Sequence, residues 1–177
     1  ICNAIDLFFE LDFGPMSNLG KNTAVVCGGF SGEAEVSMRS AAMIMNNIDR
    51  NLFKPVKIIV GKDRWYAEWE GGEWEVNRAD FTVVLNGVKV YFDGVFMIIH
   101  GTPGEDGIMQ GYFELLGIPT TTGDTLNMSL TFNKKMTTRV LSALKFKTAA
   151  SVEVDGHALI SASEIVEVTG LPCFVKP

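Results

Sequence analysis

The run Thr23-Ala24-Val25-Val26-Cys27, closed by Gly28-Gly29, constrains this chain more than any other feature. A short apolar stretch without polar alternation reads as a strand covered on both faces, and the paired glycines end it in a turn. Ser31 then offers an N-cap, with Glu33 and Glu35 in the first helical turn, where carboxylates complement the helix dipole. Val36, Ala41, Ile44 and Ile48 recur at helical spacing and predict a helix of about 14 residues. Val56 to Val60 predicts a second buried strand. Strand, helix and strand in this order form a βαβ unit, which favours a parallel sheet.

Residues 64–94 change character. Trp65, Tyr66, Trp69 and Trp74 flank Gly71-Gly72, and Phe81–Leu85 faces Val88–Tyr91 across Asn86-Gly87, a strong hairpin signal. These segments read as a meandering insertion outside the core, with the Asn86-Gly87 hairpin projecting from the sheet. Val95 to Ile99 resumes the buried type and His100 ends it. Gly104 to Leu116 predicts a helix stopped by Gly117 and Pro119, and residues 120–123 a loop. Asn133 to Leu144 predicts another helix, Thr148 to Val154 a strand, Ser161 to Val168 a helix and Cys173 to Val175 a strand.

The expected class is therefore α/β: a mainly parallel, doubly wound domain over 21–122, then a different pattern over 123–177. The apolar start carries acids, lacks the basic region of a signal peptide and precedes Met16. We read Met16 as the natural start, residues 1–15 as vector-derived or upstream sequence, and 1–20 as an extra segment, with a genuine N-terminal helix as the alternative.

Composition narrows the function classes. Hydrophobic residues at 47% and 177 residues in all permit a substantial core. A net charge of −6 argues against a nucleic-acid binder, which normally carries a basic face. No apolar stretch approaches the roughly 20 residues of a membrane helix. Cys2, Cys27 and Cys173 are far from one another and from His100 and His157, so no sequence-local zinc site is supported. Cys27 and Cys173 lie in apolar runs and read as buried free thiols, which fits a reducing cytoplasm.

The glycine turn fails both phosphate motifs. A dinucleotide fingerprint needs glycines at 30 and 33, where Phe30 and Glu33 stand, and no Gly-Lys-Ser/Thr follows to make a P-loop. Gly14 to Gly20-Lys21 has the wrong spacing and Asn22 in place of Ser or Thr. Two acids after the turn would repel phosphate and suit an ammonium group. Glu33 alone reads most simply as a helix cap, His100 as a structural strand-end residue, and Lys134 as a solvated side chain.

Their combination is more specific. Gly28-Gly29-Phe30-Ser31-Gly32-Glu33-Ala34-Glu35-Val36-Ser37 resembles the first signature of the D-alanine–D-alanine ligases, an ATP-grasp family. His100-Gly101-Thr102-Pro103-Gly104-Glu105-Asp106-Gly107, with Gln110-Gly111 and Glu114 to Pro119, resembles the second. Asn133-Lys134 and Phe174-Val175-Lys176-Pro177 fall where that family has its two ATP-binding lysines. Order and spacing agree from about Lys21 to Pro177. Three positions depart from the pattern: Ala34 between the glutamates, Asn133 for the usual aspartate, and Thr120 where an aromatic is common.

The resemblance implies an N-terminal substrate-binding domain over 21–122, then a linker helix and the start of an ATP-grasp central domain over 123–177. It implies Glu33 as the catalytic, substrate-binding carboxylate that anchors the ammonium of the first D-alanine. Val36 would join the substrate site, and His100 would donate toward the reacting carboxyl. Lys134 and Lys176 would reach ATP phosphates, while Glu105 and Asp106 brace the loop and His100. It further implies a D-alanyl phosphate intermediate, peptidoglycan precursor synthesis, Mg2+ or Mn2+ held by residues beyond Pro177, a homodimer through the N-terminal domain, and no membrane or nucleic-acid partner. The alternatives are a D-alanine–D-lactate or D-serine ligase, and a non-catalytic small-ligand-binding domain of the same fold. The 177-residue piece alone is expected to be inactive.

Overall fold

A computed structural model describes residues 20–154 and 160–175. The chain divides into two compact units between Phe132 and Asn133. Calls on residues 1–19, on His157 and on Lys176 lie outside the described residues.

The first unit carries a seven-stranded sheet: β1 (Lys21–Gly28), β2 (Phe53–Val60), β3 (Trp65–Trp69), β4 (Gly72–Asn77), β5 (Thr82–Leu85), β6 (Val88–Val90) and β7 (Gly94–Met97). Its helices are α1 (Ala34–Asn47), α2 (Ile108–Leu116) and α3 (Thr125–Phe132). Strand order is β6-β5-β4-β3-β2-β1-β7. The βαβ expectation holds, because β1 pairs in parallel with β2 through the α1 crossover and with β7 on its other side. An isolated parallel bridge from Val95 to Thr120 continues the sheet beyond β7.

Alternation along β1 explains the double winding. Ala24 and Val26 face one way, into a cluster with Ile58, Val60, Met109 and Phe113 that α2 covers. Val25 and Cys27 face the other, against Ile59 and Ala41 of α1. A strand whose two faces are both buried has no polar position to spare, which is why residues 24–27 are uniformly apolar.

Residues 64–94 correct the sequence reading. They form no separate insertion: β3 to β6 extend the same sheet by four antiparallel pairings from β2 outward. The sheet is thus mixed, with parallel pairing concentrated around β1. Ala67, Val76, Phe81, Val83 and Leu85 are all buried in the core that α2 covers. Period-2 alternation puts Val83 inside and leaves Val84 half exposed. Phe81 is the hub, its ring 4.7 Å from Phe113, 5.4 Å from Phe92 and 6.1 Å from Tyr112. The predicted Asn86-Gly87 hairpin does form, with both residues at positive φ (50° and 78°), as a type I′ turn requires.

Helix α2 starts at Ile108, four residues later than the glycine pattern predicts, because Gly107 enters the helix from a left-handed φ of 91°. Gly117 ends it in the left-handed conformation, as expected. Helix α3, which no sequence signal had marked, packs on α2 through Glu114, whose carboxylate accepts from the amide and hydroxyl of Thr125 at 2.7 and 2.8 Å. Buried Gln110 donates to the Gly104 carbonyl at 2.7 Å and to Thr122 Oγ1 at 3.0 Å, joining the loop before α2 to the loop after it.

The second unit contains α4 (Lys134–Ala143) and α5 (Ala162–Thr169). Asn133 caps α4 by accepting from the Met136 amide at 3.0 Å, so its replacement of an aspartate keeps the capping acceptor. Ser161 and Glu164 close a capping box on α5. The strands predicted over Thr148–Val154 and Cys173–Val175 do not form among the described residues. Alternating apolar residues make a strand only when a neighbour accepts their ladder of hydrogen bonds. Cys173 is exposed, which corrects its reading as a buried thiol, whereas Cys27 is buried.

Candidate functional site

The carboxyl ends of β1 and β7 stand side by side, and their connections leave in opposite directions. The chain after β1 crosses over α1 to β2, while the chain after β7 crosses through α2 to Thr120 on the far side. Such a switch point opens a crevice at the strand ends, where open α/β sheets bind ligands.

Two loops meet there. Gly28 and Gly29 adopt φ of 93° and 101°, which turns the chain sharply out of β1. A Cβ at Gly29 would lie 2.7 Å from Ile99 Cγ2, so the absence of a side chain lets the turn press against the other loop. The Phe30 amide donates to the Thr102 carbonyl at 3.0 Å. One level deeper, fully buried Ser37 accepts from the Gly28 amide at 2.9 Å and donates to the Ile98 carbonyl at 2.8 Å. This serine holds the two strand ends together, and it belonged to the first motif without being singled out.

Glu33 occupies the N-cap position of α1, yet its side chain makes no capping hydrogen bond. Ser31 does not take the N-cap position expected of it. Its hydroxyl accepts from the Glu33 amide at 3.2 Å and donates to the His100 carbonyl at 2.9 Å. The Glu33 carboxylate lies against Gly101: a Cβ there would be 3.2 Å from Oε2. With φ of 69°, Gly101 also occupies a conformation that L side chains rarely adopt.

His100, next to Gly101 in the chain, is part-exposed. Its Nε2 lies 3.5 Å from Ser40 Oγ on α1, and its Nδ1 lies 3.9 Å from Glu105 Oε1. The other Glu105 oxygen accepts from the Gly101 amide at 2.9 Å, so Glu105 braces the loop as the sequence implies. Asp106 makes a turn hydrogen bond to the Ile108 amide at 3.2 Å. Val36 is half exposed in the first turn of α1.

Glu33, Val36 and His100 therefore share one end of the first unit. Among the described residues no donor reaches the Glu33 carboxylate, and the residue is exposed. Lys134 is the first residue of α4 in the second unit. No group of three or more His, Cys, Asp or Glu side chains among the described residues could hold a metal ion. Sequence reasoning singled out the charged residues, gave Ser31 an N-cap role that it does not take, and passed over Ser37 and Ser40, because a serine on a helix carries no spacing signal of its own.

Residues 22–123 match the family described as the D-Ala D-Ala ligase N-terminus. The chain is 42% identical over 158 residues to a D-alanine–D-alanine ligase of Flavobacterium johnsoniae, spanning 89% of this chain and 49% of that one. Among solved structures it resembles the D-alanine–D-alanine ligase of Aeromonas hydrophila (27% identity, TM-score 0.68, 82% of this chain and 54% of that one). It also resembles the VanG D-Ala:D-Ser ligase of Enterococcus faecalis (30% identity, TM-score 0.65, 75% and 44%). The chain spans about half the length of the curated relatives it matches. With the two loops meeting at the switch point and the family match running through both, the chain belongs to the D-alanine–D-alanine ligase family.

Proposed function

We propose that this chain supplies the first-substrate half of an ATP-dependent ligase that joins two D-alanines for peptidoglycan precursor synthesis. The supporting observation is the Glu33 carboxylate, which no described donor reaches and which lies against Gly101 beside His100 at the switch point. A carboxylate there suits the ammonium of an amino acid, and the adjacent imidazole suits the carboxylate at its other end. Val36 would line the alanine methyl side.

The reaction follows from the electrophile that must be made. A carboxylate resists attack by an amine, so one of its oxygens first forms a bond to the γ-phosphorus of ATP as ADP leaves. The amine of the second D-alanine then attacks the acyl carbon, inorganic phosphate departs, and the amine gives up a proton. Lys134 and Lys176 would bind the phosphates as compact cations. Mg2+ or Mn2+ belongs to this reading by family only, and the described residues offer it no ligand set. The same reading covers 21–122 as the substrate domain, 123–177 as the linker helix and start of the ATP-grasp domain, a homodimer through the first, and a cytoplasmic enzyme. No helix among the described residues is long and apolar enough to cross a membrane.

The test uses the full-length protein. Phosphate release from ATP should require D-alanine, and mass spectrometry should find the dipeptide. D-serine and D-lactate offered with D-alanine decide the second substrate. ATP turnover indifferent to D-alanine would refute the reading and favour a binding domain of the same fold.

A further inference from the structure

We propose that Ser31 is a positioning residue that locks Glu33 to His100 and so sets the spacing of the first-substrate pocket. This inference rests on the ligase reading for the identity of the substrate, but its geometry is independent of that reading. A serine hydroxyl has one proton to give and two lone pairs. Ser31 gives its proton to the His100 carbonyl at 2.9 Å and accepts the Glu33 amide at 3.2 Å. One side-chain oxygen thus joins the backbone of both candidate substrate residues, which lie 67 positions apart in the chain.

Three further observations point the same way. Glu33 has no capping hydrogen bond of its own, so its helix does not fix where its side chain points. Gly101 packs directly on the serine: a Cβ there would lie 2.8 Å from Ser31 Oγ and 3.0 Å from Ser31 Cβ. Ser37 already ties the strand ends at Gly28 and Ile98 one level below. Losing Ser31 therefore leaves the fold held and the loops still joined through Phe30 and Thr102, and releases only the Glu33 amide and the His100 carbonyl. A purely structural serine would do the opposite, changing stability and leaving substrate binding alone.

The experiment compares Ser31→Ala, Ser31→Thr, Glu33→Gln and the double variant S31A/E33Q in the full-length protein. Ser31→Ala should raise KM for the first D-alanine by about 3- to 10-fold, the worth of one hydrogen bond, with kcat and KM for ATP within about twofold. Ser31→Thr keeps the hydroxyl and should bring KM back to within about twofold of wild type. In the Glu33→Gln background the Ser31→Ala effect should largely vanish, because the charge it aims is gone. Independently of activity, exchange of the Glu33 amide should accelerate in Ser31→Ala while the Gly28 amide stays protected. An unmoved KM in an active enzyme, full additivity in the double variant, or an unchanged Glu33 amide would overturn the role of Ser31. Wild-type protein without D-alanine-dependent turnover would overturn the ligase reading and the substrate part of this proposal together. In that case the Glu33 amide still decides whether the lock exists.

Discussion

Glu33 is exposed, and among the described residues no donor reaches its carboxylate, so a ligand's ammonium would displace only water from it. Charge-assisted hydrogen bonds contribute about 1.5–3 kcal/mol, so Glu33→Gln in the full-length protein should weaken first-D-alanine binding by roughly 10- to 100-fold. ATP affinity should stay the same, and melting should shift little, since Glu33 makes no capping bond to lose. Steady-state titration of D-alanine with a melting curve for each protein checks this; a normal KM would return Glu33 to helix-start chemistry. Cys27 makes a different residue-scale prediction. Burial pushes its thiol from 9.0 up to about 12, against a smaller opposing pull from Lys57. The unfolded chain releases this proton near 9 while the folded chain keeps it, so stability falls as pH rises from 9 toward 12, with a limiting slope of about 1.4 kcal/mol per unit. Urea unfolding at pH 8.5, 9.5 and 10.5 should show a shallower decline for Cys27→Ala, and parallel declines would contradict the assignment. At this scale the sequence read Cys27 correctly as buried and Cys173 wrongly so, and it singled out Glu33 and His100, which the fold brings to adjoining loops. Ser31 was read as a cap it does not form and Ser37 was passed over, because a hydroxyl gains its role only from whatever the fold brings opposite.

At the scale of elements, periodicity identified β1, α1, the I′ hairpin and the left-handed stop of α2, all of which depend on neighbours in sequence. It misjudged the region from β3 to β6. Tryptophans and short alternating runs look alike whether they form an outlying ribbon or the rest of the sheet, because alternation says which residues share a face and not what covers it. Phe81 shows what was hidden: its φ of 50° is one that bulky residues seldom take, and its buried ring sits among Phe92, Tyr112 and Phe113. Phe81→Ala should therefore cost about 3–5 kcal/mol, as expected for a large core aromatic. Val84→Ala, on the exposed side of β5, should stay within about 0.5 kcal/mol. Equilibrium denaturation of the two variants separates a core meander from an ornament; similar small losses for both would restore the insertion reading.

The two units differ in how they hold their backbone. In the first, β1 is hydrogen-bonded on both edges and buried on both faces, so its amides open only when the unit unfolds. In the second, the described residues 148–154 have no ladder partner, and Phe174 and Val175 are 93% and 96% exposed. The strands expected over 148–154 and 173–175 thus do not form among the described residues, because alternating apolar residues make a strand only with a neighbour to pair with. The 177-residue chain studied by itself should accordingly exchange residues 148–154 orders of magnitude faster than residues 24–27, and bind ATP at best weakly, since the phosphate lysines of the proposed reading belong to this less secured unit. Hydrogen exchange read by mass spectrometry, with calorimetric ATP titration, tests both. Protection of 148–154 equal to that of Val25, or micromolar ATP affinity, would show that the second unit is complete without a further sheet. Restoring the full-length protein should then change the second unit and leave the first as it is: exchange at 24–27 unaltered, exchange at 148–154 slowed, and ATP binding gained. That asymmetry follows from the hydrogen bonds alone, because β1 has nothing left to pair and 148–154 has everything.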